Sequence, residues 1–146
     1  MKIHSNDFKN AGFIKAKHAS WDKNVAPHLA WSDLPAQTKS LVLICDDPDA
    51  IKPAHKIWVH WLVYDIAPTV HETSDLKDAK QGLNDFGNHG YDGPNPPDGE
   101  HRYYFELFAL DTAHVDLQQR ITRDEFCKRF SKNILDSCII TGRHKK

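Results

Sequence analysis

The nine residues from Trp58 to Ile66, WVHWLVYDI, are apolar on both alternating faces: Trp58, His60, Leu62 and Tyr64 fall on one, Val59, Trp61 and Val63 on the other. Side chains along a strand alternate with a period of two, so a run with no polar face must be covered by protein on both sides. Two other runs read the same way. SLVLIC, from Ser40 to Cys45, is a short β-branched and leucine-rich strand ahead of the acidic DDPD. HRYYFELFALD, from His101 to Asp111, places His101, Tyr103, Phe105 and Leu107 on one face, so here too a histidine leads an aromatic face.

The 34 residues from Ala67 to Glu100 carry five of the seven glycines and four of the eight prolines. A connection of that length is either functional or disordered. Only the C-terminal part reads as helical: Thr122 and Glu125 can form a capping box, and Phe126, Phe130 and Ile134 then recur every four residues as one core stripe. CIITG predicts a short closing strand ended by Gly142, with RHKK fraying as a solvated tail.

At 146 residues the chain fits one domain, 1–146, and buries roughly 68–70% of its unfolded surface, enough for a core without staples. Nineteen basic against twenty acidic residues leave a formal charge of −1, which argues against nucleic acid as a partner and makes any anion site a local one. The odd cysteines Cys45, Cys127 and Cys138 lie in apolar stretches and form no CxxC, the pattern of reduced core thiols. MKIHSNDFKNAGF has no apolar leader core, and no segment is long and apolar enough for stable membrane insertion, so a cytoplasmic protein is expected.

Local signatures of acyl transfer, nucleotide binding and zinc hydrolysis (GxSxG, the Walker loop, HExxH) are missing, and the ten histidines never pair at metal-ligand spacing. No cofactor or metal is implied. His4, His18, His71, His114 and His144 read as surface residues.

One constellation spans three segments. Asp47 and Asp49 sit in DDPDA past the first strand, His60 lies in the second, and His101 and Tyr103 open the third. Neighbouring strands could bring these ends to one rim of a sheet, under a glycine/proline loop. Two imidazoles, a phenol and two carboxylates so placed suit a small anion such as phosphate, with a carboxylate fixing the charge or tautomer of a histidine. The same residues also read as satisfied core histidines beside an Asp-Pro-Asp turn.

The ordered set NVAPHLAWSDLP, DDPDA, WVHWLVYDI and NDFGNHGYDGPNPPDGEHRYYFELFALD resembles the phosphatidylethanolamine-binding protein family, also called the Raf kinase inhibitor protein family, in its shorter bacterial and archaeal branch. The resemblance implies a mainly β fold, a sandwich of two antiparallel sheets with a few short helices. It also implies a pocket for phosphate-like head groups in which Asp47, Asp49, His60, Pro97, His101 and Tyr103 match the family's motif positions. Arg102 points away from its neighbours, and an ion pair with Asp49 is expected. The sequence departs from the pattern at Ile51, where the family motif has proline, and at Asn95. The function implied is that of a non-enzymatic binder of phosphate or phosphoethanolamine-like ligands, a possible regulator of signalling. The alternative is an inhibitor of a kinase or protease acting through its surface, and a hydrolase ranks behind both. The resemblance also implies a homodimer.

Overall fold

The computed structural model describes residues 1–146. Eight strands form in chain order: β1 (Lys2–His4), β2 (Gly12–Phe13), β3 (Ala30–Ser32), β4 (Ser40–Asp47), β5 (Trp58–Ile66), β6 (Lys80–Gln81), β7 (Glu100–Leu110) and β8 (Ile134–Lys145). Helix is confined to α1 (Ile51–Ala54), α2 (Arg123–Arg129) and three short 3-10 turns, so the architecture is mainly β with two sheets, as expected. β1 and β3 form a small antiparallel sheet, and the other six strands form a larger one in the order β2-β8-β7-β4-β5-β6. In the larger sheet the two-residue β2 runs parallel to β8, while every other pairing is antiparallel. No helix is long and apolar enough to cross a membrane.

The two-sided apolar pattern has a direct structural cause. All eight residues of β4 are buried, and their side chains alternate between two clusters. Leu41, Leu43 and Cys45 pack with Trp61, Val63, Phe105 and Leu107 beneath Leu29 and Trp31, on the face that the small sheet covers. Val42 and Ile44 pack with Leu62, Phe108 and Leu110 beneath Val115, Leu117, Ile121 and the α2 residue Phe126. Full burial of each large aliphatic side chain is worth about 1.5–3 kcal/mol, so both layers are needed to hold the sheet.

β5 breaks the strict alternation expected of it. Cys45 pairs with Trp61 but Asp46 pairs with Val59, which makes His60 the extra residue of a bulge. Leu62 enters the cluster under α2, whereas the His60 ring packs edge-on to Tyr103, 5.2 Å between centroids, on the opposite side of the sheet. The bulge therefore separates two residues that simple alternation put on one face.

The chain also differs from expectation in the extent of its C-terminal helix, in its closing strand and in the burial of two histidines. The capping box of Thr122 and Glu125 forms, but α2 ends at Arg129, and Ile134 begins β8. The chain turns there because the Ile134 N–H donates to the Phe130 carbonyl while Asn133 bonds Asp111 through both backbone and side chain. The closing strand runs for twelve residues through Gly142 and most of the supposed tail, paired with β7 from Glu100 to Leu110. Gly142 is a point of close approach rather than a stop: a Cβ there would lie 2.4 Å from Ile14 Cδ1. Finally, His18 and His144 are buried, not on the surface. His144 Nδ1 donates to the Ile14 carbonyl and Nε2 accepts from Trp21 Nε1, which compensates its loss of water.

Candidate functional site

Because β4 lies between β5 and β7, the end of β4, the start of β5 and the start of β7 meet at one edge of the large sheet. They bound a cleft of about 200 Å³. Asp47 comes from β4, Trp58 and His60 from β5, and His101 and Tyr103 from β7; the turn into α1 and the loop residues Phe86, Asn95 and Pro97 complete the walls. Five of the six residues expected at a pocket, Asp47, His60, Pro97, His101 and Tyr103, thus meet in one place.

Asp49 lies outside that lining. It accepts from the Arg102 backbone N–H at 2.8 Å, from Nε at 3.0 Å and from Nη2 at 2.9 Å, the ion pair anticipated from strand geometry. Those hydrogen bonds hold the Asp49 carboxyl below the usual carboxylate range. The fork clips the Pro48–Ala50 turn to the start of β7, so Asp49 positions the chain between Asp47 and the cleft wall. Arg102→Lys is expected to lose the two-point contact and to cost about 0.5–1 kcal/mol, since half of the arginine faces water; urea unfolding that shows no loss would remove this role.

His101 is sandwiched between two carboxylates. Its Nδ1 lies 2.6 Å from Asp47 Oδ2 and its Nε2 2.7 Å from Asp98 Oδ1. Burial pulls the imidazole pKa down, but hydrogen bonds to Asp47 and then Asp98 outweigh it and raise the value, favouring imidazolium. Asp47 is pushed up by burial, opposed by its bond to His101, and its other oxygen accepts from the Asp49 N–H at 2.8 Å.

His60 has a different character. Its Nδ1 donates to the Asp92 carbonyl at 2.6 Å, and burial lowers its pKa to about 4. The ring is therefore neutral at pH 7 and Nε2 is its acceptor. The loop that supplies this carbonyl is held by side chains: Asp92 accepts from Asn24, Asn84 and Asn88, and the Asn84 amide also reaches the Gly90 carbonyl. The glycine/proline segment is thus a built wall.

Two donors at the cleft lack acceptors. The Tyr103 hydroxyl and Trp58 Nε1 are both buried and have no hydrogen-bond partner in the protein. Phe86 stands edge-on to Trp58 and His60, each at 5.4 Å between centroids, and closes the apolar side. Of the two departures noted in the sequence, Asn95 lines the cleft, whereas Ile51 is exposed and does not. No group of three or more histidine, cysteine, aspartate or glutamate residues is placed to hold a metal ion.

Sequence reasoning missed Trp58, Phe86, Asp92 and Asp98. Trp58 was legible as the residue two before His60 on the same alternating face. Asp98 stands three residues before His101, but nothing in PPDGEH specifies that the loop folds its carboxylate back onto the imidazole. Phe86 and Asp92 act through a loop whose shape depends on distant Asn24, which local pattern cannot show.

Residues 4–145 match the family model described as phosphatidylethanolamine-binding protein. A UPF0098 protein of Methanothermobacter thermautotrophicus is 35% identical over 154 residues, covering 100% of this chain and 99% of that protein. Among solved structures, CT736 of Chlamydia trachomatis aligns with a TM-score of 0.85 at 34% identity, over 99% of this chain and 96% of that one. YbcL of Escherichia coli, described as a member of the mammalian PEBP family, aligns with a TM-score of 0.86 at 29% identity, over 99% and 98% of the two chains.

Proposed function

The chain belongs to the phosphatidylethanolamine-binding protein family, and from that premise we propose that its cleft binds phosphate and phosphorylated head groups such as phosphoethanolamine without turning them over. The observation that carries this reading is the pair of buried donors, Tyr103 Oη and Trp58 Nε1, left without acceptors on residues that line the cleft. A buried donor without a partner costs about 1–3 kcal/mol, and an oxygen-rich ligand would remove that cost. A protonated His101 adds charge-assisted donation, with Asp47 orienting the ring from behind. Neutral His60 offers an acceptor, which suits the hydroxyl of a hydrogenphosphate or the proton of a phosphomonoester. Asp49 serves indirectly through Arg102, and Pro97 stiffens the mouth.

Binding without chemistry is the better reading because no serine, threonine, cysteine or lysine lines the cleft, both Asp47 oxygens are engaged by His101 and the Asp49 N–H, and no base is hydrogen-bonded to the Tyr103 hydroxyl to activate it. The protein would act as one domain, in the cytoplasm and without a cofactor, presenting or sequestering a phosphorylated ligand.

Tyr103→Phe tests this cleanly. Removing an unpartnered hydroxyl should leave the free protein as stable as wild type or more stable by up to about 1 kcal/mol, while weakening phosphate binding about tenfold. The checks are urea unfolding and titration of the histidine ring signals by NMR. Unchanged phosphate affinity in this variant, or a wild-type protein that gives no saturable shift of His60 and His101, would reject the site; turnover of a phosphomonoester above background would reject the non-enzymatic reading.

A further inference from the structure

We infer that the Asp98 carboxylate is an internal anion seated against His101, and that a ligand enters the cleft by displacing it; this rests on the reading of the cleft as an anion site. The two carboxylates that hold His101 are not equivalent. The Asp47 side chain is 5% exposed and tied also to the Asp49 N–H, so it belongs to the permanent frame. The Asp98 side chain is 52% exposed, comes from the loop at the mouth, and has His101 Nε2 as its hydrogen-bond partner. It can swing into water at little cost, and its departure frees the Nε2 donor of a ring that is otherwise buried.

The exchange also accounts for the unfilled donors. Asp98 reaches His101 but neither Tyr103 Oη nor Trp58 Nε1, so the tethered carboxylate satisfies only part of the cleft. A phosphate would replace the single contact at His101 and have oxygens left for the other two. Asp98 thereby sets a threshold for occupancy. The apparent affinity of every anion is multiplied by the same fraction, that of molecules in which the carboxylate is out. Weak monoanions are then excluded at concentrations at which phosphate still enters.

The test is titration of the full chain with inorganic phosphate, followed through the His101 ring nitrogens by NMR, for wild type, Asp98→Ala, Asp98→Asn and the neighbouring control Glu100→Gln. Asp98→Ala should tighten phosphate binding about two- to fivefold, the range expected of a half-exposed charged contact, with Asp98→Asn between it and wild type and Glu100→Gln unchanged. A unfolding curve for each variant separates affinity from folding. Phosphate affinity that is unchanged or weaker in Asp98→Ala overturns the displacement while leaving the cleft an anion site. Phosphate that binds none of the four proteins removes the anion site itself, and the displacement with it.

Discussion

Replacing Gly93 by alanine is expected to destabilise the protein by about 3 kcal/mol or more, at the upper end of what overpacking costs, and to disorganise the His60 side of the cleft. A Cβ at Gly93 would lie 1.8 Å from the His18 carbonyl oxygen and 2.7 Å from the Tyr91 hydroxyl. Neither group can retreat freely, because the Tyr91 hydroxyl donates to that same carbonyl and the His18 side chain is buried and bonded to Val25. The loop must move instead, which breaks the bond from the Gly93 N–H to Asn24 and drags the adjacent Asp92 carbonyl away from His60. Urea unfolding measures the first effect and the His60 ring signals the second. An alanine variant within about 0.5 kcal/mol of wild type would mean that the loop does not press on the His18 segment.

A second large effect is a pH dependence that two buried groups hide from each other. Burial lowers His60 from 6.5 to about 4, so between those values the unfolded chain carries a proton that the folded chain lacks. Its contribution is fully present above pH 6.5 and is lost as the pH falls toward 4, about 3 kcal/mol in all. Asp46, on the other face of the sheet, is raised from 3.8 to about 6, chiefly by burial and against a bond from the Arg123 N–H. Here the folded chain binds the extra proton, so a penalty of about 3 kcal/mol at neutral pH is relieved as the pH falls through 6. The two slopes nearly cancel in the wild type. Asp46→Asn removes one of them and should therefore be more stable than wild type at pH 7, then lose about 2–3 kcal/mol between pH 6.5 and pH 4.5. Chemical denaturation at a series of pH values reads this directly. A flat profile in the variant would show that His60 is not buried as a neutral ring.

Much of this molecule is written in its local pattern. Runs apolar on both faces require strands with protein on either side, and β4, β5 and β7 are such strands at the centre of the large sheet. The capping box of Thr122 and Glu125 is equally local, since both of its hydrogen bonds close within four residues. The histidines and tyrosine that lead the aromatic faces were visible for the same reason. Their residue types are out of place in an apolar strand, whatever the strand packs against.

What the sequence by itself determined was that β4, β5, β7 and the middle of β8 are strands and which polar residues stand at the ends of the first three; β1, β2, β3 and β6, of two or three residues each, are too short to carry a pattern. The tertiary structure decided how those ends face one another. It placed one bulge at His60, which moved that ring to the Tyr103 side of the sheet, and it continued β8 through Gly142 because β7 offered a full partner edge. It also folded Asp98 onto His101 and locked the Asp92 carbonyl onto His60 through asparagines as distant as Asn24. Local pattern depends on side-chain periodicity, which a few residues express on their own. Register, bulges and hydrogen bonds across long loops are set by the competition among partners that meet only when the whole chain has packed.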